Sequence, residues 1–185
     1  MDNGDCSYRR FLEGDESALQ EIVSEYRPGL QNFINSIVNN ISVAEDLTED
    51  TFVKLLLKKP KNKRTASFKT WLYTIGRNIA VDWLRKNPRG REIPIDEISD
   101  IGIEEAQFLK LYIKDEEKRI VHKALESINP DYKNVLILFY FEDFSIEEIS
   151  EIMKKSKKNI SVLLHRAKKS LKLRLETEGF DYENR

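Results

Sequence analysis

The chain has one cysteine, Cys6. A lone thiol excludes an internal disulfide and suits a reducing compartment, so the cytoplasm is the expected location. Cys6 itself reads as an unpaired thiol near a loose N-terminus. Long apolar runs are missing too: none approaches the ~20 residues that a membrane span needs. The opening MDNGDCSYRR has no basic start followed by an apolar stretch, so no secretory signal is expected. No alternating strand pattern, repeat period or low-complexity tract stands out. Groups for chemistry are equally scarce. There is no phosphate-cradling glycine loop, no Cys/His spacing for a metal with His122 and His165 so far apart, and no nucleophile–base pair. No enzyme, metal or cofactor is expected.

What the sequence does have is charge, unevenly spread. The 185 residues are 34% charged with a net charge of −1, and that near-neutral sum hides strong segregation. Residues 51–91 carry 12 basic side chains and one acidic, and residues 153–175 carry nine basic and none acidic. Residues 1–50 are net −8 and residues 92–117 are net −7. A uniformly solvated helical surface would not sort its charges into two basic islands separated by acidic territory.

Nearly every periodic segment reads as helix. Leu30, Phe33, Ile34, Ile37 and Val38 follow the three/four spacing of one buried face, with Pro28 placed as in a first helical turn. Ser42 and Glu45 form a capping-box pattern for a helix carrying Ala44, Leu47, Thr51, Phe52, Leu55 and Leu56 inward and stopping at Pro60. Ser67 is the expected N-cap of the next helix, whose inner face is Phe68, Trp71, Leu72, Ile75, Ile79 and Trp83. From Asn87 the pattern dissolves among Pro88, Gly90, Pro94 and Gly102, a stretch too long for a loop inside one compact domain. Helical spacing resumes through Ile120, Val121, Ala124, Leu125 and Ile128. Asn129–Pro130 then caps a helix with Tyr132, Val135, Leu136 and Phe139. The expected fold is all-α: two small helical domains, 1–87 and 114–177, joined by a flexible acidic linker, 88–113, with an acidic tail, 178–185.

The second basic island sits in FSIEEISEIMKKSKKNISVLLHRAKKSLKLRL, from Phe144 to Leu175. Ser145 to Glu148 is another capping box, opening a short helix with Ile146, Ile149, Ile152 and Met153 inward. Ser156 is placed to cap a second helix, whose seam is Ile160, Leu163 or Leu164, Ala167, Leu171 and Leu175. Lys158, Ser161, Val162, His165, Lys168, Lys169 and Lys172 fall on the opposite face. Two short helices, a tight turn and a basic outer face fit a helix-turn-helix whose second helix enters a DNA groove. Phosphate anchoring needs bases, and acids there would repel the duplex. Lys157 and Lys158 stand near the helix N-terminus, where the helix dipole also attracts phosphate. Val162 has two readings: a partner for a thymine methyl, or an incidental exposed valine.

The first island, FKTWLYTIGRNIAVDWLRK from Phe68 to Lys86 with the lysine-rich loop before it, mixes aromatics and bases as single-stranded nucleic acid binding would require. Core packing is the other reading of Trp71 and Trp83.

These residues resemble bacterial RNA polymerase sigma factors of the extracytoplasmic-function group in the sigma-70 family. AEDLTEDTFVKLL (44–56) looks like the region 2 helix that docks on the polymerase clamp helices. The Phe68–Lys86 segment looks like the part that opens and reads the minus-10 element. The stretch from Leu125 to Lys172 looks like region 4, which reads the minus-35 element. Together they cover roughly residues 15–175 in family order. The resemblance implies a monomeric subunit that binds core polymerase, through the β′ clamp helices and the β flap, then reads duplex minus-35 DNA and traps opened minus-10 DNA. An anti-sigma factor is a further implied partner.

By position, the resemblance puts Ala44, Glu45, Asp46, Leu47, Glu49, Asp50 and Phe52 on the polymerase-binding helix. It puts Lys61, Lys63, Arg64, Thr65, Ala66, Ser67, Lys69, Arg77, Asn78 and Asp82 along minus-10 DNA. Lys157, Lys158, Ser161, Val162, His165, Arg166, Lys168, Lys169 and Lys172 fall to minus-35 DNA. The chain departs from the family pattern in two places. Lys154 and Lys155 stand in the turn where glycine and an apolar residue are common. Ser161, Val162 and Leu163 stand where Lys/Arg with Ser/Arg commonly read bases. The competing reading is a stand-alone helix-turn-helix regulator, which predicts a dimer and a palindromic site.

Overall fold

The computed structural model describes residues 3–58, 67–88 and 115–177. The expectations for the loop 61–66, for linker residues 89–113 and for the tail 178–185 lie outside those residues. Among the described residues every regular element is a helix, and no described helix is long and apolar enough to cross a membrane. Proximity along the backbone sorts the chain into two compact units, Met1–Arg91 with Glu147–Lys155, and Glu92–Ile146 with Ser156–Arg185.

The first unit is built around α2 (Ser17–Val38), against which α1 (Asn3–Leu12), α3 (Ile41–Lys58) and α4 (Phe68–Lys86) pack. Cys6 does not lie in a loose segment, because Asn3–Leu12 is helical. Tyr8 and Phe11 of α1 are buried, and Cys6 is carried exposed on the same helix. The Tyr8 ring lies 5.2 Å from Phe68 and 5.4 Å from Trp71, and burial raises its phenol pKa above the ordinary value. An ionic clasp fixes the α1–α2 corner. Arg10 binds Asp15 (2.6 Å) and Glu21 (2.9 Å), while Asp15 accepts from the Ser17 hydroxyl. Those bonds, Ser17 first and Arg10 next, hold the Asp15 carboxyl below the ordinary carboxylate range.

Pro28 is inside α2 and not in its first turn. The buried stripe Ala18, Ile22, Tyr26, Leu30, Phe33 and Ile34 continues through it, so packing on both sides outweighs the lost hydrogen bond. The ring itself is exposed, as is Ser24, the residue whose carbonyl would otherwise accept from position 28. The next helix is capped two residues earlier than the Ser42 box proposes: Asn40 Oδ1 accepts the Val43 N–H at 3.1 Å. Leu56 is 40% exposed, leaving Ala44, Leu47, Thr48, Thr51, Phe52 and Leu55 as the inward set of α3.

Ser67 does cap α4, accepting the Thr70 N–H at 3.3 Å. The buried face of that helix is Phe68, Leu72, Tyr73, Gly76 and Ala80, rotated from the one that apolar spacing suggests. Tyr73 stacks on Phe33 at 5.5 Å. Gly76 lets α4 approach α2 closely, since a Cβ there would sit 2.8 Å from Leu30 Cδ1 and 3.3 Å from Ile34 Cδ1. Leu30 and Ile34 are fully buried, so any shift of their ends is made within the packed core. Gly76→Val should therefore destabilise the chain by about 2 kcal/mol or more in urea unfolding, outweighing any gain in helix propensity. Unchanged stability would mean that the two helices can separate without cost.

In the second unit, α5 (Asp115–Glu126) and α6 (Pro130–Leu136) pack against the long α8 (Lys157–Thr177). Asn129 caps α6 through the Asp131 N–H at 2.9 Å, with Pro130 in the first turn. Lys133 is buried and its ammonium meets Glu126 Oε1 at 2.6 Å. The helix then widens into a π turn, Ile137–Phe141, which shifts the register. Leu138 and Tyr140 become buried, Phe139 half-buried and Phe141 52% exposed. On α8, Ile160, Leu164, Ala167, Leu171 and Leu175 are buried, so Leu164 and not Leu163 takes the seam.

In sequence α7 (Ile146–Met153) falls between the two segments of the second unit, yet it is grouped with the first, with Ile149, Ile152 and Met153 buried. It ends at Lys154, which has a left-handed φ of 54°. The Lys154 N–H bonds Glu151 O and the Lys155 N–H bonds Ser150 O, the pairing of a Schellman stop. A Cβ in this conformation costs roughly 1–2 kcal/mol. Lys154→Gly should stabilise by about 0.5–1 kcal/mol after the unfolded-state entropy of glycine is deducted, raising Tm by a few degrees. Lys154→Ala keeps the Cβ and should not.

Candidate nucleic-acid interface and docking face

Charge and exposure divide α3 lengthwise. Ala44, Leu47 and Phe52 are buried toward the core and position the helix. Glu45, Asp46, Glu49 and Asp50 are exposed. Arg27 of α2 reaches this acidic face, 3.0 Å from Glu49 and 3.5 Å from Glu45. Beyond the acids, Val53 (50%), Leu56 (40%) and Leu57 (73%) present apolar surface on the last turns. Sequence reading missed this patch because Leu56 fits an inward spacing and Leu57 lies next to it. Three exposed aliphatic residues within one helical turn and a half are the signal that periodicity alone cannot give.

On α4 the predicted minus-10 residues scatter. Ser67 is half-buried, spending one lone pair on the helix cap, and its hydroxyl donates to Glu148 Oε1 at 3.2 Å. Thr70, fully buried, donates to the same oxygen at 2.9 Å. Lys69 lies 5.7 Å from the Tyr73 ring centroid. Arg77 and Asn78 are half-exposed, and Asp82 is exposed beside Arg85 at 3.4 Å. Trp71 is half-buried and packs one side of its ring system against Tyr8 and Phe68. Lys61, Lys63, Arg64, Thr65 and Ala66 lie outside the described residues.

The helix α8 brings most of its predicted set onto one surface. Lys157, Lys158, Ser161, Val162, Arg166 and Lys172 are exposed, and His165 and Lys169 half-exposed. Ser156 starts the helix, its Oγ accepting the Asn159 N–H at 3.3 Å. Ser161 donates its hydroxyl to Lys157 O at 3.1 Å. Lys168 turns aside: its ammonium lies 5.5 Å from the Phe139 and Tyr140 ring centroids, a cation–π seat that anchors α8 to the π turn. The surface has no acidic side chain from Met153 to Leu175. It can hold phosphates and offer short side chains to base edges.

Residues 22–90 match the family model for Sigma-70 region 2, and residues 118–171 match that for Sigma-70 region 4. The chain belongs to the sigma-70 family. Among its relatives is the RNA polymerase sigma factor YlaC of Bacillus subtilis, 28% identical over 159 residues, covering 84% of this chain and 90% of that relative. The ECF RNA polymerase sigma factor SigX of the same organism is 27% identical, covering 87% and 85%. A solved structure of the sigma factor RpoE with the anti-sigma factor NepR from Bartonella quintana aligns with a TM-score of 0.64 at 26% identity, over 85% of this chain and 96% of that one. The fold is also that of CnrH in its complex with the cytosolic domain of CnrY, with a TM-score of 0.67 at 20% identity over 95% and 99%. The chain is an RNA polymerase sigma factor, with relatives in the extracytoplasmic-function group. A stand-alone helix-turn-helix regulator is not favoured, because it would have no use for region 2. Sigma factors are in general non-catalytic initiation factors.

Proposed function

We propose that this sigma factor docks core RNA polymerase with the outward face of α3, reads duplex minus-35 DNA with α8, and holds opened minus-10 DNA along the loop before α4 and on α4 itself. The front module spans 1–87, the rear module 114–177, and the acidic residues between them act as a tether. The reading is supported above all by α8, where a face without acids carries exposed Lys157, Lys158, Arg166 and Lys172. On α3, Glu45, Asp46, Glu49 and Asp50 followed by Val53, Leu56 and Leu57 supply adjoining charged and apolar surface of the kind a protein interface uses. Opening is favoured by binding the open state better than the closed one, so the chain needs no chemistry of its own. It works in the cytoplasm, where the polymerase is. RpoE was solved with an anti-sigma factor, and an anti-sigma partner is proposed here too. The test is transcription by purified core enzyme on fragments of the source genome. Adding the chain should produce defined start sites, and no stimulation on any fragment would overturn the reading.

A further inference from the structure

The first turn and a half of α8 offers few groups able to read a base. Ser161 has donated its hydroxyl to the Lys157 carbonyl. Lys157 and Lys158 carry long cationic side chains suited to phosphate. Ile160 is fully buried. Asn159 remains: exposed, with its backbone N–H taken by the Ser156 cap and its carboxamide bonded to no other described residue. That carboxamide carries a donor and an acceptor side by side, which matches adenine N6 and N7 in the major groove. Val162, 44% exposed, stands at i+3 on the same face, away from the Ile160–Leu164–Leu171 seam. An aliphatic side chain on a surface otherwise given to cations is unexplained by packing, and a thymine methyl is the major-groove group that it complements. Arg166, at i+4 from Val162, follows along that face and is exposed.

We infer that Asn159 and Val162 are a reading pair that makes this chain select A·T base pairs in its upstream duplex element, Asn159 taking an adenine edge and Val162 a thymine methyl. The inference rests on the reading of α8 as the groove-entering helix. It adds a sequence class to it. Both side chains are exposed and neither supports the seam, so substitution leaves the fold intact.

The test uses the full chain bound to core polymerase and a duplex library randomised over six upstream positions. Selected duplexes should carry A·T pairs at fixed positions. Replacing one such dA by 7-deaza-dA should weaken binding about tenfold, and replacing one such dT by dU by several-fold, each as a share of the ~1–3 kcal/mol that a good base contact is worth. Asn159→Ala should abolish the first effect and keep the second, and Val162→Ala should do the reverse. Asn159→Arg should move the selected base from adenine to guanine, a gain that misfolding cannot mimic. Retention of the library with no A·T preference, or with a preference unchanged in all three variants, overturns the pair while leaving α8 as a DNA-binding helix. If the holoenzyme retains no more duplex than core enzyme alone, the underlying reading falls and takes the pair with it.

Discussion

Reversing Asp46 and Asp50 together, as Asp46→Arg with Asp50→Arg, should reduce capture of core polymerase by at least about 100-fold while leaving the helical circular dichroism unchanged. The fold should survive because both carboxylates are exposed and the inward set of α3, Ala44, Leu47, Thr48, Thr51, Phe52 and Leu55, is untouched. The binding loss should be large because like charges facing each other across an interface cost several kcal/mol, and each 1.4 kcal/mol is tenfold. Arg27 sharpens the comparison. It already lies against Glu49 and Glu45, but these pairs are exposed, and exposed pairs contribute roughly 0–1 kcal/mol. Arg27→Ala should therefore change capture by less than about fivefold. Leu57→Glu, at the most exposed apolar residue of α3, should approach the effect of the double reversal if the apolar turn is the centre of the interface. Undiminished capture by the Asp46/Asp50 double variant would move docking off this helix.

Local chemistry made much of this legible. Ser67, Asn129 and Ser156 each cap the helix expected of them, because an Asx or Ser oxygen before an apolar period has one obvious partner in the free amides behind it. The α8 seam was readable down to a choice between Leu163 and Leu164, since a 21-residue helix repeats its period often enough to average out noise. Failures came where tertiary packing overrides local signal. Nothing local says that Pro28 can sit mid-helix; that depends on the stripe from Ala18 to Ile34 being held from both sides. The α4 face turned because Gly76, which has no hydrophobic weight in a periodicity, is the residue that the approach of α2 selects, and it carries Tyr73 inward with it. One extra residue in the π turn put Leu138 and Tyr140 in the core. In the candidate site, charge was legible and contact was not. Lys168 counts as one more base in the sequence, and only the Phe139–Tyr140 platform shows where its ammonium goes.

That distinction leads to the second large effect. Phosphate contacts release counterions, so the dependence of log K on log salt should fall by about 0.9 for each one removed. Lys157→Ala with Lys158→Ala should lower the slope for holoenzyme on its selected upstream duplex by nearly two, and cost roughly 10²-fold in affinity at low salt. Both residues are exposed in the first turn of α8, where the helix dipole adds to their attraction for a phosphate. Lys168→Ala removes the same formal charge as either substitution alone and should leave the slope nearly unchanged. Its measurable consequence should be a stability loss of about 0.5–1 kcal/mol from the vacated aromatic seat. A simple count of positive charge predicts equal slopes per lysine removed. The geometry predicts inequality, and equal slopes would mean that Lys168 leaves the rings to meet DNA.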